Sequence, residues 1–399
     1  MTPKVLILGS SFAGLTAALA IQRELESAAQ VTVISPSGQF VFNPSLIWLP
    51  FGKRTASDVT FSVAPVLERY GIEFVEAAAT RIDTEHQRVE AGATYDYDYL
   101  VVATGYRNDF DVVPGLGPNG PAHTITTLRD AVATASAWTQ LLNDPGPLVV
   151  VATQGASCFG AAYEFLFNAS YHVRRARLRR QVPLTFVTSE PFLGHFGIGG
   201  LPHGEALLGM FLKKEGIRAI VDTSIAAVKD DGVVLASGET LPARLTMAIP
   251  PFLGQEVVAR SGLGDARGYV PVRPTYQSRD FDNVYAIGIA AAVSAPWHTP
   301  TPVGVPKTGF PTEAMAHVAA TNIADQVRGR EPSAEKAFGD MPAVCVMDAG
   351  NNGVVILADK MLPPRQHGVL IPGPQAHLMK LGFEKYFLWK MQNGYVGLP

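Results

Sequence analysis

Residues 4–25 read KVLILGSSFAGLTAALAIQREL, an apolar run followed by a glycine turn and by alanine and leucine at helical spacing. The turn has the form Gly-x-Ser-x-x-Gly and extends from Gly9 to Gly14. A second apolar run at residues 30–35 completes a strand–helix–strand unit. In such a unit the first glycine permits a tight turn, the last permits close packing of the helix, and the helix N-terminus attracts pyrophosphate. The pattern predicts a dinucleotide-binding domain, with a turn of the fold that binds no ligand as the alternative.

The same pattern returns in the middle of the chain, where residues 149–165 read VVVATQGASCFGAAYEF. This second turn extends from Gly155 to Gly160 and again has serine where the usual pattern has its middle glycine. A single glycine pattern is weak evidence, whereas two copies, each between a strand and a helix, are considerably stronger. We therefore predict an α/β protein with two Rossmann-like dinucleotide-binding domains.

Composition narrows the possible functions. The 399 residues suffice for two or three domains, and the formal net charge of −3 gives no general case for nucleic-acid binding. The chain contains no run of eighteen or more apolar residues, which argues against a spanning helix. An apolar strand begins directly after Met1-Thr2-Pro3-Lys4, so no signal peptide is expected, and the default expectation is a protein on the cytoplasmic side.

Only two cysteines occur, Cys158 in the second turn and Cys345 much later in an apolar run. Cys158 falls near the start of a predicted helix, where unpaired N–H groups and the helix dipole stabilise a thiolate. Cys345 alone would be interpreted as a core residue. The wide separation excludes a zinc site and a Cys-x-x-Cys motif, and no metal site is predicted. A redox pair and a buried inert cysteine in the turn both remain open.

Three segments together resemble the sulfide:quinone oxidoreductase family. They are GASCFGAAYEF at 155–165, TPTPVGVPKTGFPTEAM at 299–315 and FEKYFLWKMQNGYVGLP at 383–399. The chain is also similar to the flavoprotein subunit of flavocytochrome c sulfide dehydrogenase and, more distantly, to type II NADH dehydrogenases. With the patterns above, the resemblance implies an FAD-binding domain of residues 1–110 and 270–340, a second Rossmann-like domain of 111–269, and a C-terminal membrane-association segment of 341–399.

The resemblance implies that FAD is the cofactor. The residues that would hold it are Gly9, Ser11, Phe12, Ala13, Gly14, Ser35, Asn43, Pro44, Ala103, Thr104, Gly105, Gly288, Ile289 and Lys307. Ser35 stands where an acidic residue would hold the ribose of NAD, which weakens an NAD interpretation. Ile289 replaces an aspartate of many relatives and favours the sulfide-oxidising branch. Lys307 would place a cation beside the flavin and stabilise its reduced anion, although a surface lysine is the alternative.

For the reaction, the resemblance implies a redox pair formed by Cys158 and Cys345. Sulfide would attack a bridge between the two sulfurs, and electrons would pass to FAD and then to a quinone. Glu164 would move protons, with a salt-bridged surface carboxylate as the alternative. It lies six positions after Cys158 and does not share its helix face. Thr126 stands where many members of the family have a third cysteine, which puts a three-sulfur mechanism in doubt.

The tail from residue 376 interleaves aromatic residues with lysines and has apolar residues at helical steps. This predicts an amphipathic helix that lies flat in the headgroup layer, as a peripheral (monotopic) attachment; a helix packed over the protein's own core is the alternative. The resemblance implies a quinone site at Gly309, Phe310, Phe383, Tyr386 and Phe387. Weak membrane binding would be consistent with a homo-oligomer.

Three other functions are compatible with these features. The flavoprotein could donate electrons to a cytochrome c, it could be an NADH:quinone reductase, or it could be a non-enzymatic flavin-based sulfide sensor. Cys158 argues against NADH because it obstructs the place of the nicotinamide nucleotide. The absence of an export signal argues against the cytochrome partner.

Overall fold

The computed structural model describes residues 2–307 and 309–398, which contain both helices and strands. The helices are α1 (Phe12–Leu25), α2 (Ala64–Arg69), α3 (Leu128–Asn143), α4 (Phe159–Arg175), α5 (Gly204–Lys214), α6 (Glu256–Ala259), α7 (Phe310–Val327) and α8 (Pro374–Gln392). The strands are β1 (Lys4–Leu8), β2 (Gln30–Ser35), β3 (Gln39–Val41), β4 (Thr60–Ser62), β5 (Glu73–Glu76), β6 (Arg81–Asp83), β7 (Arg88–Ala91), β8 (Ala93–Asp96), β9 (Tyr99–Val102), β10 (Arg107–Asn108), β11 (Ala122–His123), β12 (Leu148–Ala152), β13 (Leu184–Thr188), β14 (Arg218–Ile220), β15 (Ile225–Lys229), β16 (Gly232–Leu235), β17 (Thr240–Pro242), β18 (Leu245–Ile249), β19 (Phe252–Leu253), β20 (Val284–Ala286), β21 (Ala343–Asp348), β22 (Gly353–Ala358) and β23 (Gly368–Pro372).

A five-stranded parallel sheet, in the order β20-β9-β1-β2-β5, contains the first glycine turn. Its central strands are runs of buried valine, leucine and isoleucine because both faces of the sheet are covered. Helices α1 and α7 pack closely on each other beside this sheet. The first turn and the ends of β2, β9 and β20 therefore meet at the carboxyl edge, where parallel α/β sheets bind their ligands.

A second parallel sheet, in the order β11-β18-β12-β13-β14, contains the second glycine turn between β12 and α4. The apolar residues of β12 point alternately to two cores. Val150 packs in the core that includes α4, whereas Val149 and Val151 pack against β15–β17. The two parallel sheets confirm the predicted α/β fold with Rossmann-like units.

The last part of the chain forms a three-stranded antiparallel sheet, β21-β22-β23, with α8 packed against β21 and β22. Strand β21 also packs against α4, so the two elements that carry Cys345 and Cys158 are neighbours. Asn168 of α4 fixes this contact, because its side-chain amide donates to the backbone oxygen of Asp348 at 3.0 Å.

Helix α8 has its charges on the inner side. Lys380, Glu384 and Lys390 are buried and ion-paired, with the Lys390 ammonium 2.9 Å from the carboxylate of Glu313. The prediction that these two lysines lie in the headgroup layer is therefore wrong. Only Lys385, which is exposed, is placed as expected.

The outer side of α8 is apolar. Leu378, Met379, Phe383 and Trp389 are each 44% to 66% exposed. They are separated by one, four and six positions, which at about 100° per residue places all four within about 140° around the helix axis, so they share one side of the helix. We call these four residues the apolar stripe. In the described part of the chain, no helix is long and apolar enough to cross a membrane.

Candidate active site

The first glycine turn leaves its backbone amides available. Gly9 has a φ of 109°, and a Cβ at Gly14 would lie 1.9 Å from the Gly9 oxygen, so both positions require glycine. The Gly9 amide donates to Ile34 at 2.8 Å. Within the described residues, no other segment hydrogen-bonds to the amides of residues 10–13. Unpaired amides at a helix start are a ready site for pyrophosphate.

Other residues expected to hold FAD lie at the same edge of the sheet. The hydroxyl of Thr104, directly after β9, is buried and has no hydrogen-bond partner, as expected for a group that a ligand completes. Gly288 packs on α1, since a Cβ there would lie 3.1 Å from that of Ala13. Asn43 is exposed on the loop after β3. Ser35, at the end of β2, is buried and accepts a hydrogen bond from Ser10 at 3.0 Å.

Lys307 is buried, so the surface-lysine alternative is wrong. Its ammonium donates to the backbone oxygens of Ile289 and Ala291 at 2.8 and 2.6 Å and lies 3.8 Å from the centre of the Tyr269 ring. Burial lowers the pKa of Lys307 to about 7, with a smaller contribution from Arg267. The structure thus joins two of the expected cofactor residues, Lys307 and Ile289. Its neighbour Thr308 lies outside the described residues.

The second glycine turn is closed by another part of the chain, residues 302–304. The amide of Gly155 donates to the Pro302 oxygen at 2.6 Å, and the amide of Gly304 donates to the Ala156 oxygen at 2.8 Å. We call residues 302–304 the strap. The strap thus engages the amide of Gly155 and the oxygen of Ala156, whereas among the described residues no separate segment covers the amides of residues 10–13 in the first turn. The sequence analysis did not identify the strap.

Cys158 and Cys345 are both thiols in this structure, and they lie close enough for Cys158 to act electrostatically on Cys345. Burial raises the pKa of Cys158 to about 11, although the backbone amide of Ala161 in the first turn of α4 partly offsets it. Desolvation therefore outweighs the stabilisation of a thiolate that the helix start predicts for Cys158. Burial also raises the pKa of Cys345 to about 12, although part of the residue is accessible to solvent.

Glu164 lies beside both thiols and raises the pKa of each. It is buried, and its carboxylate accepts from the backbone amide of Asp348 at 2.6 Å and from the ammonium of Lys380. Burial raises the pKa of Glu164, while Lys380 opposes the rise. The alternative of a surface carboxylate is wrong, because Glu164 is buried. The salt bridge that this alternative included does form, with Lys380.

Asp348 completes a cluster that sequence analysis did not identify. Its carboxylate accepts from the indole N–H of Trp48 at 2.8 Å and lies 2.5 Å from Nδ1 of His377. Burial opposes ionisation, but these two hydrogen bonds together with the charges of Lys53 and Lys380 outweigh it and lower the pKa of Asp348. We call Glu164, Lys380, Asp348 and His377 the ionic cluster. It joins α4, β21 and α8 directly beside the two cysteines.

The position of the missing third cysteine is occupied by a hydrogen-bonded threonine. The hydroxyl of Thr126 lies 2.8 Å from the side-chain nitrogen of Asn108, and its backbone oxygen accepts from Tyr106 at 2.5 Å. Burial raises the pKa of Tyr106, and Cys158 adds to the rise, which places this group near the second turn.

A fully buried carboxylate, Glu190, holds the glycine-rich segment 191–200. It accepts from the amide of Phe196 at 2.7 Å and from the hydroxyls of Tyr163 and Thr188 at 2.9 Å each. Burial raises the pKa of Glu190 to about 7. The held segment reaches the strap, because a Cβ at Gly197 would lie 2.3 Å from the Gly304 oxygen.

Aromatic rings connect the first turn to α8. Phe387 is buried, and its ring centre lies 5.0 Å from Phe12 and 5.3 Å from Phe42. Phe383 lies 5.7 Å from Phe42 and is 44% exposed. Of the residues expected at a quinone site, Phe387 thus contacts Phe12, which is expected at the flavin, and Phe383 in turn contacts Phe387 at 5.6 Å between ring centres. Phe310, at the start of α7, is 42% exposed.

The fold and this site define the class of protein. Two Rossmann-like units, an open cradle in the first and paired thiols beside the second are features of flavin-dependent disulfide oxidoreductases. The family model described as pyridine nucleotide-disulphide oxidoreductase matches residues 3–305. The protein is a flavin-binding oxidoreductase of this class.

Relatives narrow the class further. The sulfide-quinone reductase of Aquifex aeolicus is 35% identical over 99% of this chain and 92% of its own length. The X-ray structure of the sulfide:quinone oxidoreductase from Aquifex aeolicus superimposes with a TM-score of 0.93 at 34% identity, covering 98% of this chain and 92% of that one. A type II NADH:quinone oxidoreductase of Staphylococcus aureus is 25% identical over 99% of this chain and 97% of its own length. The chain belongs to the sulfide-quinone reductase family.

Proposed function

We propose that the protein oxidises sulfide and delivers the electrons to a quinone. The observation that carries the proposal is the convergence of its only two cysteines, from α4 and β21, beside the ionic cluster. Membership of the sulfide-quinone reductase family supports the same reaction. In the proposed cycle HS⁻ attacks a Cys158–Cys345 disulfide, so that one sulfur becomes a persulfide and the other leaves as a thiolate.

The proposed cofactor is FAD, which when bound supplies the two-electron carrier between sulfur and quinone. The free amides of residues 10–13 would hold its pyrophosphate, and the unpaired hydroxyl of Thr104 would complete a contact at the same edge. Lys307 would supply positive charge from its place on the oxygens of Ile289 and Ala291.

Proton movement is assigned to Glu164. Oxidation of HS⁻ to sulfane sulfur releases one proton and two electrons, and the thiols of Cys158 and Cys345 must lose protons to react as thiolates. Glu164 is the buried carboxylate beside both, and its raised pKa brings it nearer to those of the thiols. Lys380 would keep it ionised until a proton arrives.

The quinone is proposed to enter from the side of α8. Phe383 and Phe387 lead from the exposed apolar stripe to Phe42 and Phe12, and they provide an apolar route toward the first turn. The same stripe would bind the membrane peripherally, because its apolar side chains are 44% to 66% exposed to solvent. Attachment on the cytoplasmic side belongs to the same proposal.

The strap argues against NADH as the reductant, because it occupies two backbone groups of the second turn. The proposal is tested anaerobically by adding sulfide and then a water-soluble quinone analogue while flavin absorbance is followed. We expect bleaching by sulfide and recovery with the quinone. Cys158→Ala and Cys345→Ala should each abolish bleaching, whereas Val344→Ala, an exposed neighbour on β21, should retain it. Bleaching by NADH but not by sulfide would refute the proposal.

A further inference from the structure

The strap passes through a space too narrow for a side chain. A Cβ at Gly304 would lie 2.8 Å from the Cβ of Ser157 and 3.0 Å from the oxygens of both Ala156 and Gly155. Gly304 does not have a left-handed backbone conformation, so its requirement for glycine is steric rather than conformational. The residue after Ser157 is Cys158, which makes this contact adjacent to the reacting sulfur.

The strap is also held from the side that faces away from the turn. The amide of Thr301 donates to the carboxylate of Asp222 at 3.1 Å. A Cβ at Gly197 would lie 2.3 Å from the Gly304 oxygen and 3.0 Å from Pro306, so segment 191–200 packs directly on the strap. Glu190 in turn fixes that segment to α4 through Tyr163. Because these contacts hold the strap in place, the strap cannot move away freely when an added side chain presses it against the second turn.

We propose that the strap, through Gly304, is a positioning element for Cys158. It fills the place that a dinucleotide would take on the second turn, and its two backbone hydrogen bonds fix the path of residues 155–157. This path sets where Cys158 stands relative to Cys345. The expected effect on the rate of sulfide oxidation rests on the proposed function. The positioning of Cys158 relative to Cys345 does not depend on that function.

The test compares Gly304→Ala with Gly209→Ala, whose added methyl in α5 meets open space. Gly304→Ala should bleach with sulfide about tenfold to a hundredfold more slowly, as expected when reacting groups are displaced by a fraction of an ångström to one ångström. Flavin content and the reoxidation by quinone of enzyme reduced with dithionite should change less than about twofold, because neither uses Cys158. Gly209→Ala should match the wild type in all three measurements.

A second variant keeps the test decisive if Gly304→Ala folds poorly. Adding Ser157→Gly removes the atom at 2.8 Å while the oxygens at 3.0 Å remain, so the double variant should recover part of the lost rate relative to Ser157→Gly alone. A bleaching rate for Gly304→Ala equal to that of the wild type would overturn the proposal. Equal loss of bleaching and reoxidation would also overturn it.

A further measurement separates this inference from the proposed function. Diamide takes two electrons and two protons from a pair of thiols and leaves a disulfide, so the rate at which it links Cys158 to Cys345 reports their alignment without sulfide or flavin. Gly304→Ala should slow this linkage by about tenfold. If sulfide does not bleach the wild type but the linkage is slowed, the proposed function fails and the positioning inference stands. An unchanged linkage rate refutes the positioning inference.

Discussion

Glu190→Gln should change how the stability of the protein depends on pH. Burial raises the pKa of this carboxyl from 4.5 to about 7, so the folded state binds its proton more tightly than the unfolded state does. The stability that Glu190 contributes is therefore complete below pH 4.5 and is lost as the pH rises to 7. Glutamine does not titrate, and its amide can still bond Phe196 and Tyr163.

The pKa also gives the size of the effect. The interval of about 2.5 pH units, at 1.36 kcal/mol each, gives at most about 3 kcal/mol. No discount for solvent screening applies, because Glu190 is fully buried. The groups that face it are Tyr163, Thr188 and the amide of Phe196. Burial lowers the pKa of His195 from 6.5 to about 4, so this histidine makes stability rise with pH between those values, but it does so in both proteins and cancels when the variant is compared with the wild type.

The assay is thermal unfolding between pH 5 and pH 8.5. A change of about 3 kcal/mol corresponds to roughly 6–12 °C for a domain of this size, so the midpoint of Glu190→Gln relative to the wild type should rise by up to that amount across the range. Glu256→Gln, at a 57% exposed carboxylate paired with Arg260, is the control and should follow the wild type. The reasoning is refuted if Glu190→Gln and the wild type show the same pH profile.

Two further predictions concern α8. Lys380→Met removes the cation beside Glu164 and raises the pKa of Glu164 further, so the pH above which sulfide bleaches the flavin should move upward. The protein should also lose about 3 kcal/mol of stability, because one partner of a buried ion pair is removed. Lys385→Met, on the exposed side of α8, is the control, and an unchanged pH onset in Lys380→Met would contradict the role of Glu164. The double variant Leu378→Ser/Met379→Ser removes two apolar side chains, each of which contributes ~1.5 kcal/mol or more when it is buried in lipid. It should weaken vesicle binding at least about tenfold, measured by flotation, while activity with a soluble quinone analogue should not change. Undiminished vesicle binding would exclude the apolar stripe as the attachment surface.

The sequence motifs predicted those features of the fold that depend on contacts within a single strand–helix–strand unit. The first turn needs glycine at Gly9 and Gly14 because of contacts inside one strand–helix–strand unit, so the motif and the fold appear together in the sequence. The repetition of the turn at Gly155 identified the second unit for the same reason. The pairing of Cys158 with Cys345 remains an expectation from the family resemblance, to which the packing of β21 on α4 adds physical support.

Long-range packing decided what the sequence could not predict. The tail's lysines and aromatic residues gave helical spacing, but spacing does not reveal which side faces the protein, and Glu164 and Glu313 draw Lys380 and Lys390 inward. The helix start at Cys158 suggested a thiolate, whereas desolvation by the whole surrounding fold reversed the sign.

The strap joins residues about 150 positions apart through backbone groups, which leave no side-chain signal in the sequence. The inward orientation of the Glu190 carboxylate, just after strand β13, is likewise not visible in the sequence. An acidic residue after the second strand of a Rossmann unit is typical of ribose binding, yet here it is turned inward.

The ionic cluster has a consequence for the durability of the site. No covalent bond joins Cys158 to Cys345 in this structure, and the two residues belong to segments far apart along the chain. Their alignment therefore depends on Glu164, Lys380 and Asp348, whose ion pair and hydrogen bond connect α4, α8 and β21 without a covalent bond. In the proposed cycle, the contacts of the ionic cluster would hold the two segments in place each time the sulfur bridge opens.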